Sequence, residues 1–509
     1  MQSLLSLLPT TLGMQLLYSF LTLLVFGILY FTWKIILVPY IGMQFYKKQG
    51  VPCEYFPLIG SFKNLIPGFQ KHGDILHYLK HQARTKPKKL LCTNIGSKVA
   101  LSLYDSALVK DFYLNTDNYI KDPSIVTLFE PLFGRGLLTS EGNQWKGQRK
   151  ALSSAFHFEF LKSILPTVQA TARQKLSALG KGSLTKVNVM NELQKITGEV
   201  VGKVFFGEQL SDYDIDGKPL TLVLADLIAG ISKAFGEPVR MIFGNWIVLK
   251  GMLPRYKRLM RNIKQFREVC SKIVQNRTKA YNDQKEPNSS SHKDLLQILL
   301  EGKMSEEEII DQFVTFFFAG MDTTGHLLTM VVYYLDKYPE LKTKMLEEIQ
   351  TYYKPEQTIT QENLNKMEFT LAFIKETLRA MTPVAGVFMR RVAKDHKLGD
   401  IHLREGDMVN LDYFYNSYNP AYFDDVDDFK PERWLDKSKP GDAFAFTPFS
   451  GGARNCIGQH LALNESRIIL GELLSQYDLK IPEDFKLKMI TTFLYEPVEP
   501  ILIDLIPRT

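Results

Sequence analysis

The sequence predicts a mainly α-helical protein with small β-sheets, set behind one N-terminal membrane-spanning helix, and three observations carry that prediction. No charged residue occurs from Met1 to Trp33, and Met14–Trp33 is a mostly apolar run of spanning length. Ser305-Glu-Glu-Glu308 has the spacing of a capping box and opens a helical pattern that continues to Lys337, just ahead of Pro339. Strand signals are few and short: Lys89–Thr93 and Lys98–Leu103, around a turn containing Gly96, begin a small sheet.

Size and composition agree with one large domain. The chain has 509 residues, 45% of them hydrophobic, enough for an extensive core, and no long Pro/Gly/Ser linker or internal repeat divides it. Its longest polar interruption, 283–293, has the length of a loop. The division expected is an anchor and linker over 1–46 and one large domain over 47–509. Four widely spaced cysteines with no Cys-x-x-Cys pair argue against a disulfide framework or structural zinc and for a reducing compartment. A net charge of +7 is mild for this length and suits an acidic partner or membrane face. No basic stripe with interleaved aromatics points to nucleic acid.

At the N-terminus, a cleaved signal peptide would need a basic start and a small-residue cleavage site, and neither is present. Lys34, Lys47 and Lys48 follow the apolar run, so the positive-inside rule leaves the rest of the chain in the cytosol. Pro39, Pro52 and Pro57 are expected to break up the entry to the globular part, with residues 50–60 extended and stiffened.

Trp145 and Arg149 are four residues apart and share a helical face within Gly142–Leu152, with Lys146 and Lys150 beside them. From Lys162 to Ala280 the pattern is helical; the apolar patches Leu220–Ile231 and Met241–Leu249 fit a substrate lid, a membrane contact or core packing equally well. The helix opening at Ser305 is about 48 Å long at ~1.5 Å per residue and apolar nearly all round, so it is buried. Asp322 near its midpoint, with His326 one turn on, argues against a second membrane span, where an acid costs about 2.5 to 3.5 kcal/mol. In Ala319-Gly-Met-Asp-Thr-Thr324, an acid beside a hydroxyl inside an apolar helix needs a partner or a purpose. A threonine bonded back to its own helix is the structural alternative.

Further on, Glu376 and Arg379 pair opposite charges at i, i+3, and Pro431-Glu-Arg433-Trp434 precedes a glycine-rich loop. Pro383–Arg391 is expected to be a strand, as are Leu487–Leu494 and Val498–Leu505, which close the small sheet and one pocket wall. The glycine-rich loop reads Phe449-Ser-Gly-Gly-Ala-Arg-Asn-Cys-Ile-Gly458. Cys456 stands just ahead of a helix start, whose unpaired N–H groups and dipole favour a thiolate, a ligand for soft metals. Gly451, Gly452 and Gly458 would permit positive φ and close approach to a flat group, and Arg454 could meet an anion beside it.

The spacing of Phe449, Gly452, Arg454, Cys456 and Gly458 resembles the haem-binding loop of the cytochrome P450 family of haem-thiolate monooxygenases. That resemblance extends over nearly the whole chain after the anchor. It implies haem b with Cys456 as axial thiolate, lining by Phe449, Gly458 and Ala319, and propionates held by Trp145, Arg149, Arg390 and Arg454, with Arg391 the alternative to Arg390. It implies proton delivery to bound oxygen by Asp322 and Thr323 in a groove loosened by glycine. Glu376, Arg379 and Arg433 become the family's structural triad, and residues 50–60 its proline-bearing hinge. No flavin or nicotinamide domain is visible. The resemblance therefore implies electrons from a separate NADPH-dependent reductase, with a b-type cytochrome as a further donor, docking on the basic cysteine side. It also implies a hydrophobic small-molecule substrate, O2, and a single-pass protein of the endoplasmic reticulum membrane. The stretch Gly136–Lys162 looks most like fatty-acid ω-hydroxylases, although many of those carry glutamate where Ala319 stands; sterols and xenobiotics remain open. Two other classes stay in view. A haem-thiolate isomerase or dehydratase of oxygenated lipids would need neither O2 nor electrons, and a haem-based binder or sensor would turn over nothing.

Overall fold

The computed structural model describes residues 10–508 apart from 58–59, 61, 181, 238, 241–243, 284–293, 303, 386–388, 437–441 and 492. Most of the polar interruption at 283–293, the start of the anchor and part of the Pro383–Arg391 stretch lie outside the described residues.

A helix over Thr10–Phe31 presents apolar side chains outward, Leu23 being 71% exposed, and no residue of its most apolar window is buried in the protein. By length and composition this helix could cross a membrane. Pro39, expected to help break up the entry to the globular part, does not interrupt it. The helix widens to π geometry over Thr32–Leu37, a turn that accommodates the missing proline N–H, and resumes over Val38–Lys47. Its last turns already belong to the globular part: Met43 and Tyr46 are in a hydrophobic cluster, and the Tyr46 hydroxyl donates to Asp407 at 2.6 Å.

That cluster covers a six-stranded sheet of order Cys53–Glu54, Leu90–Ile95, Lys98–Leu103, Met408–Leu411, Arg390–Val392, Tyr119–Lys121. The expected hairpin is present, turned by Gly96 at φ 57°. Arg390–Val392 is shorter than the strand expected from Pro383, and its register sets Arg390 opposite Lys121. The C-terminal strands differ as well. Met489–Thr491 pairs with Tyr495–Pro497 as a separate hairpin, and Leu502–Pro507 joins a second sheet with Tyr477–Lys480 and Leu184–Asn188. Phe493 and Leu494, between the two strands of that hairpin, line a cavity.

The helices pack around Glu306–Lys337, 32 residues long and closed at its start by the reciprocal Ser305–Glu308 capping box. The helix Val189–Phe206 lies along it at close range: a Cβ on Gly320 would sit 2.4 Å from Val201, and one on Gly325 2.9 Å from Gln194. These glycines set helix–helix distance, and the helix is α-helical throughout rather than loosened. In the Leu220–Gly236 helix, Leu220, Leu224, Leu227, Ile228 and Ile231 are all buried, so that apolar patch is core. The second patch is described from Gly244 on: Trp246 is exposed while Ile247 and Val248 are buried.

Glu376 and Arg379 do not form an exposed pair. Both are buried, with Arg379 donating to Glu376 at 2.8 and 3.0 Å and to the carbonyls of Ser417, Val426 and Asp428 at 2.9–3.0 Å. Arg433 donates to the same carboxylate at 3.2 Å, and the indole of Trp434 at 2.9 Å is a fourth member that charge pairing alone could not indicate. Trp434 packs on Phe446, just ahead of the glycine-rich loop. Glu376→Ala would leave two guanidinium groups and an indole N–H without their acceptor. It is expected to cost about 3–5 kcal/mol, the usual penalty for breaking a buried ion pair from one side; a urea unfolding midpoint equal to that of the wild type would contradict this.

Candidate active site

Between the central helix and the glycine-rich loop lies a cavity of about 360 Å³. The central helix presents Ala319, Thr323 and Leu327 to it, one residue per turn, while the loop presents Phe449, Arg454, Cys456 and Gly458 from the opposite side. Apolar side chains, among them Phe156, Phe205, Phe316, Phe318, Phe493 and Leu494, make up much of the rest.

The loop is fixed by few but specific contacts. The Cys456 N–H donates to Phe449 O at 2.8 Å, closing the loop around a 3-10 turn at Gly452–Arg454. Of the three glycines expected at positive φ, only Gly452 is there, at 62°, where a Cβ would lie 2.1 Å from the Tyr113 carbonyl oxygen. Gly451 is extended and brings the backbone against the Tyr113 ring, and Gly458 has φ −89°. Around Gly458 a Cβ would meet nothing nearer than 4.0 Å, which leaves that wall open to a flat group. Ser450 takes the second left-handed conformation of the loop, φ 63°, which the sequence did not signal.

Cys456 opens to the cavity, deep inside the domain and away from bulk water. Burial therefore pushes its thiol up from the usual range, against the Gly458 N–H and the Arg149 guanidinium, which pull the other way. The helix-end argument alone pointed to a lowered value; desolvation outweighs it. A bound metal cation would reverse that balance, because coordination deprotonates a thiol outright.

Trp145 and Arg149 both reach the cavity from the helix Gly142–Ser153, as their spacing required. Arg149 donates to the Asn455 carbonyl at 2.8 Å and to its side-chain oxygen at 2.6 Å, so it also clamps the loop beside Cys456. The guanidinium of Arg454 lies 3.6 Å over the Trp145 ring. Arg390 and Arg391 separate as neighbours on a strand must: Arg390 lines the cavity, while Arg391 turns away to Asp122 at 2.9 Å.

Two residues that the sequence did not single out complete this rim. Glu141 accepts from Arg454 and lies 3.5 Å from both Arg390 and Lys121. Lys121, opposite Arg390 in the sheet, also donates to Ser140 O at 2.8 Å. Burial lowers its pKa to about 7, and the neighbouring Arg454 and Arg390 add to that against Glu141. Three cations thus share one carboxylate at the rim. No local signal marks Lys121, because its neighbours come from segments far away in the chain.

This arrangement fits an iron porphyrin with two propionates. The donor is a single cysteine on an apolar wall, the plane beside it is left open at Gly458, and the surplus cations stand at one edge.

Asp322 and Thr323 part company. Thr323 faces the cavity, its hydroxyl donating to Ala319 O at 2.6 Å, the back-bond weighed above. Asp322 lies some 100° further round the helix and faces a second, smaller cavity, where Gln194 donates to it at 2.6 Å and His326 stands at 3.2 Å.

The cytochrome P450 family model matches residues 52–503. A probable cytochrome P450 4d20 from Drosophila melanogaster is 26% identical over 78% of this chain and 81% of its own. Cytochrome P450 4V2 from Mus musculus is 26% identical over 83% and 82%, and cytochrome P450 4c21 from Blattella germanica 25% identical over 89% and 92%. Among solved structures, a mutant of the cytochrome P450DA heme domain superposes with a TM-score of 0.76 at 21% identity, covering 90% of this chain and 98% of that one. With the fold, the cysteine loop and the family match in agreement, the chain belongs to the cytochrome P450 family of haem-thiolate oxidoreductases and is of the monooxygenase class.

Proposed function

We propose that this protein is a membrane-anchored monooxygenase that inserts one atom of O2 into an unactivated carbon of a hydrophobic, chain-like substrate, with Cys456 as the haem ligand. The observation that carries this reading is the placement of Cys456 and Thr323 on facing walls of one cavity whose remaining surface is largely aromatic and aliphatic. Haem held by a thiolate supplies reductive cleavage of O2, the thiolate favouring O–O scission by electron donation. The chain's own residues do the rest. Lys121, Arg390 and Arg454 hold the propionates, with the Trp145 ring supporting Arg454 and Arg149 fixing the loop through Asn455. Phe156, Phe205, Phe316 and Phe493 exclude water and orient an apolar substrate. The Thr323 hydroxyl donates to Ala319 O and can accept a hydrogen bond from water on the cavity side, holding a proton donor where oxygen is reduced. Ala319 offers no carboxylate for an ester bond to the haem edge.

Electrons arrive from an NADPH-dependent reductase or a b-type cytochrome on the cysteine side, where Lys150 is exposed and Lys146, paired with Asp117 at 3.1 Å, stands beside it. The apolar N-terminal helix with basic residues only after it supports anchorage in the endoplasmic reticulum with the domain in the cytosol. Fatty-acid chains are the substrate class favoured by the likeness of Gly136–Lys162 to ω-hydroxylases. Oxygen uptake with reductase and NADPH on a fatty-acid panel tests the class directly, since an isomerase would convert its substrate without consuming O2.

Cys456→His is expected to bind haem but lose the far-shifted Soret band of the reduced carbon monoxide complex; a mutant keeping that band would remove Cys456 from the assignment. Arg390→Met should release haem to an acceptor protein at least about tenfold faster, in line with ~1.5–3 kcal/mol for a hydrogen bond to a charged group. Arg391→Met, which breaks only the Asp122 pair, should not, and equal release rates would reverse the choice between the two. Thr323→Ala should retain the thiolate spectrum and NADPH consumption yet divert much of the flux from product to hydrogen peroxide, measured as the product-to-NADPH ratio with peroxide assayed in parallel.

A further inference from the structure

The face of the central helix that carries Ala319, Thr323 and Leu327 continues at intervals of four toward the helix start, through Thr315 to Asp311. Asp311 is buried beneath the loop that joins the helix Pro123–Phe133 to the helix Gly142–Ser153. The Arg135 N–H donates to its Oδ2 at 2.7 Å, and the Leu137 N–H donates to Oε1 of the next residue, Gln312, at 3.0 Å. Two successive side chains of the helix thus hold two alternate amides of the loop. The approach is close enough to require glycine on either side of Arg135. Gly134 has φ 53° and a Cβ on it would overlap the Asp311 carboxylate, while one on Gly136 would overlap the Thr315 hydroxyl. Leu137 and Leu138, next along the loop, line the cavity that Cys456 faces.

We propose that Asp311 and Gln312 are positioning residues for the substrate: by clamping Gly134–Leu138 they set the leucine wall of the cavity and so decide which carbon of a chain-like molecule is presented for oxidation. The inference rests on the monooxygenase reading and adds to it two residues that lie outside the cavity lining. A wall displaced by a fraction of an ångström changes which substrate atom reaches the reacting position, so the hold on the loop is a hold on specificity.

The clamp joins segments far apart in the chain. Arg267, on the helix Pro254–Asp283, donates to Asp311 Oδ1 at 2.8 Å and to Leu132 O at 2.9 Å. Gln148, from the helix that also carries Trp145 and Arg149, donates to Arg135 O at 2.8 Å and accepts from the Ser140 hydroxyl at 2.7 Å. The Arg135 residue is therefore held at its N–H by the central helix and at its carbonyl by Gln148. An apolar residue would fill either clamp position with less loss. Burial raises the pKa of the Asp311 carboxyl, against the Arg135 N–H and the Arg267 guanidinium, so its charge is kept at a cost. Gln312 is fully buried, and its Nε2 has no hydrogen-bond partner among the described residues. What both side chains supply in return is an acceptor for a loop N–H at a fixed point along the helix.

Two measurements on the purified holoprotein test the clamp. Deuterium exchange of the Gly134–Leu138 backbone, read without substrate, should be about tenfold faster in Asp311→Ala, which removes a hydrogen bond to a charged group, and severalfold faster in Gln312→Met. Asp311→Asn keeps an acceptor oxygen for Arg135 and should return most of the way to the wild type. Gln312→Met nearly preserves volume, so it keeps the test independent of whether Asp311→Ala folds. In the second measurement, dodecanoic acid is oxidised with reductase and NADPH and the positional isomers of hydroxydodecanoic acid are quantified. Asp311→Ala and Gln312→Met should spread oxidation over more carbons than the wild type and raise KM more than they lower kcat, with the carbon monoxide spectrum unchanged, and Asp311→Asn should restore the wild-type pattern. Wild-type exchange in both Asp311→Ala and Gln312→Met would overturn the clamp. Faster exchange with an unchanged isomer ratio would make it a structural contact only and overturn its role in positioning. Failure of the wild type to oxidise dodecanoic acid would instead defeat the fatty-acid reading, with the exchange result still deciding the clamp.

Discussion

A loop with almost no regular structure has to present one sulfur to a cavity, and the surrounding structure is organised to hold that loop still. Its internal hydrogen bond from Cys456 to Phe449 O and the left-handed turn at Gly452 fix its shape, while Tyr113 and Arg149 fix its place. Behind it, the Glu376 carboxylate gathers Arg379, Arg433 and Trp434, and the Trp434–Phe446 contact carries that rigidity to the loop's entrance. The buried carboxylate is tolerable because every donor near it is satisfied by it or by a carbonyl, the condition under which buried ion pairs specify a structure rather than weaken it. Precision at the sulfur is thus obtained by cross-links from distant segments.

The rim opposite that loop follows a different rule. Lys121, Arg390 and Arg454 converge on Glu141, so positive charge exceeds negative in a partly dry place, an arrangement that is unfavourable unless anions arrive. Burial is the main cause of the depressed Lys121 pKa, and the neighbouring Arg454 and Arg390 add to it. Two propionates would relieve it, which makes cofactor retention an electrostatic consequence of the sheet register that sets Lys121 opposite Arg390.

What could be read from the sequence was local. Capping-box spacing gave the start of the central helix and Pro339 its end, and five positions around Cys456 sufficed to suggest its family. The four-residue separation of Trp145 and Arg149 put both on the cavity. Features made by segments far apart left no such trace: Trp434 under Glu376, Glu141 between three cations, and the division of the C-terminal strands into a hairpin and a second sheet. Two errors arose from using one physical effect where two compete. The helix dipole suggested a lowered pKa for Cys456, but desolvation is larger. Pro39 was expected to help break up the entry to the globular part, yet the helix runs through it after a π turn.

Asp322 and Thr323 are the instructive case, because adjacency in sequence suggested a common direction and the helical phase forbids it. Residues 319, 323 and 327 form one face at intervals of four, and 322, 326 and 329 form another about 100° away. A single helix therefore stands between the cavity that Cys456 faces and a smaller one lined by Asp322, His326 and Thr329. With the acid on the far face and only hydroxyls on the near one, the central helix presents no carboxylate to the cavity that Cys456 faces.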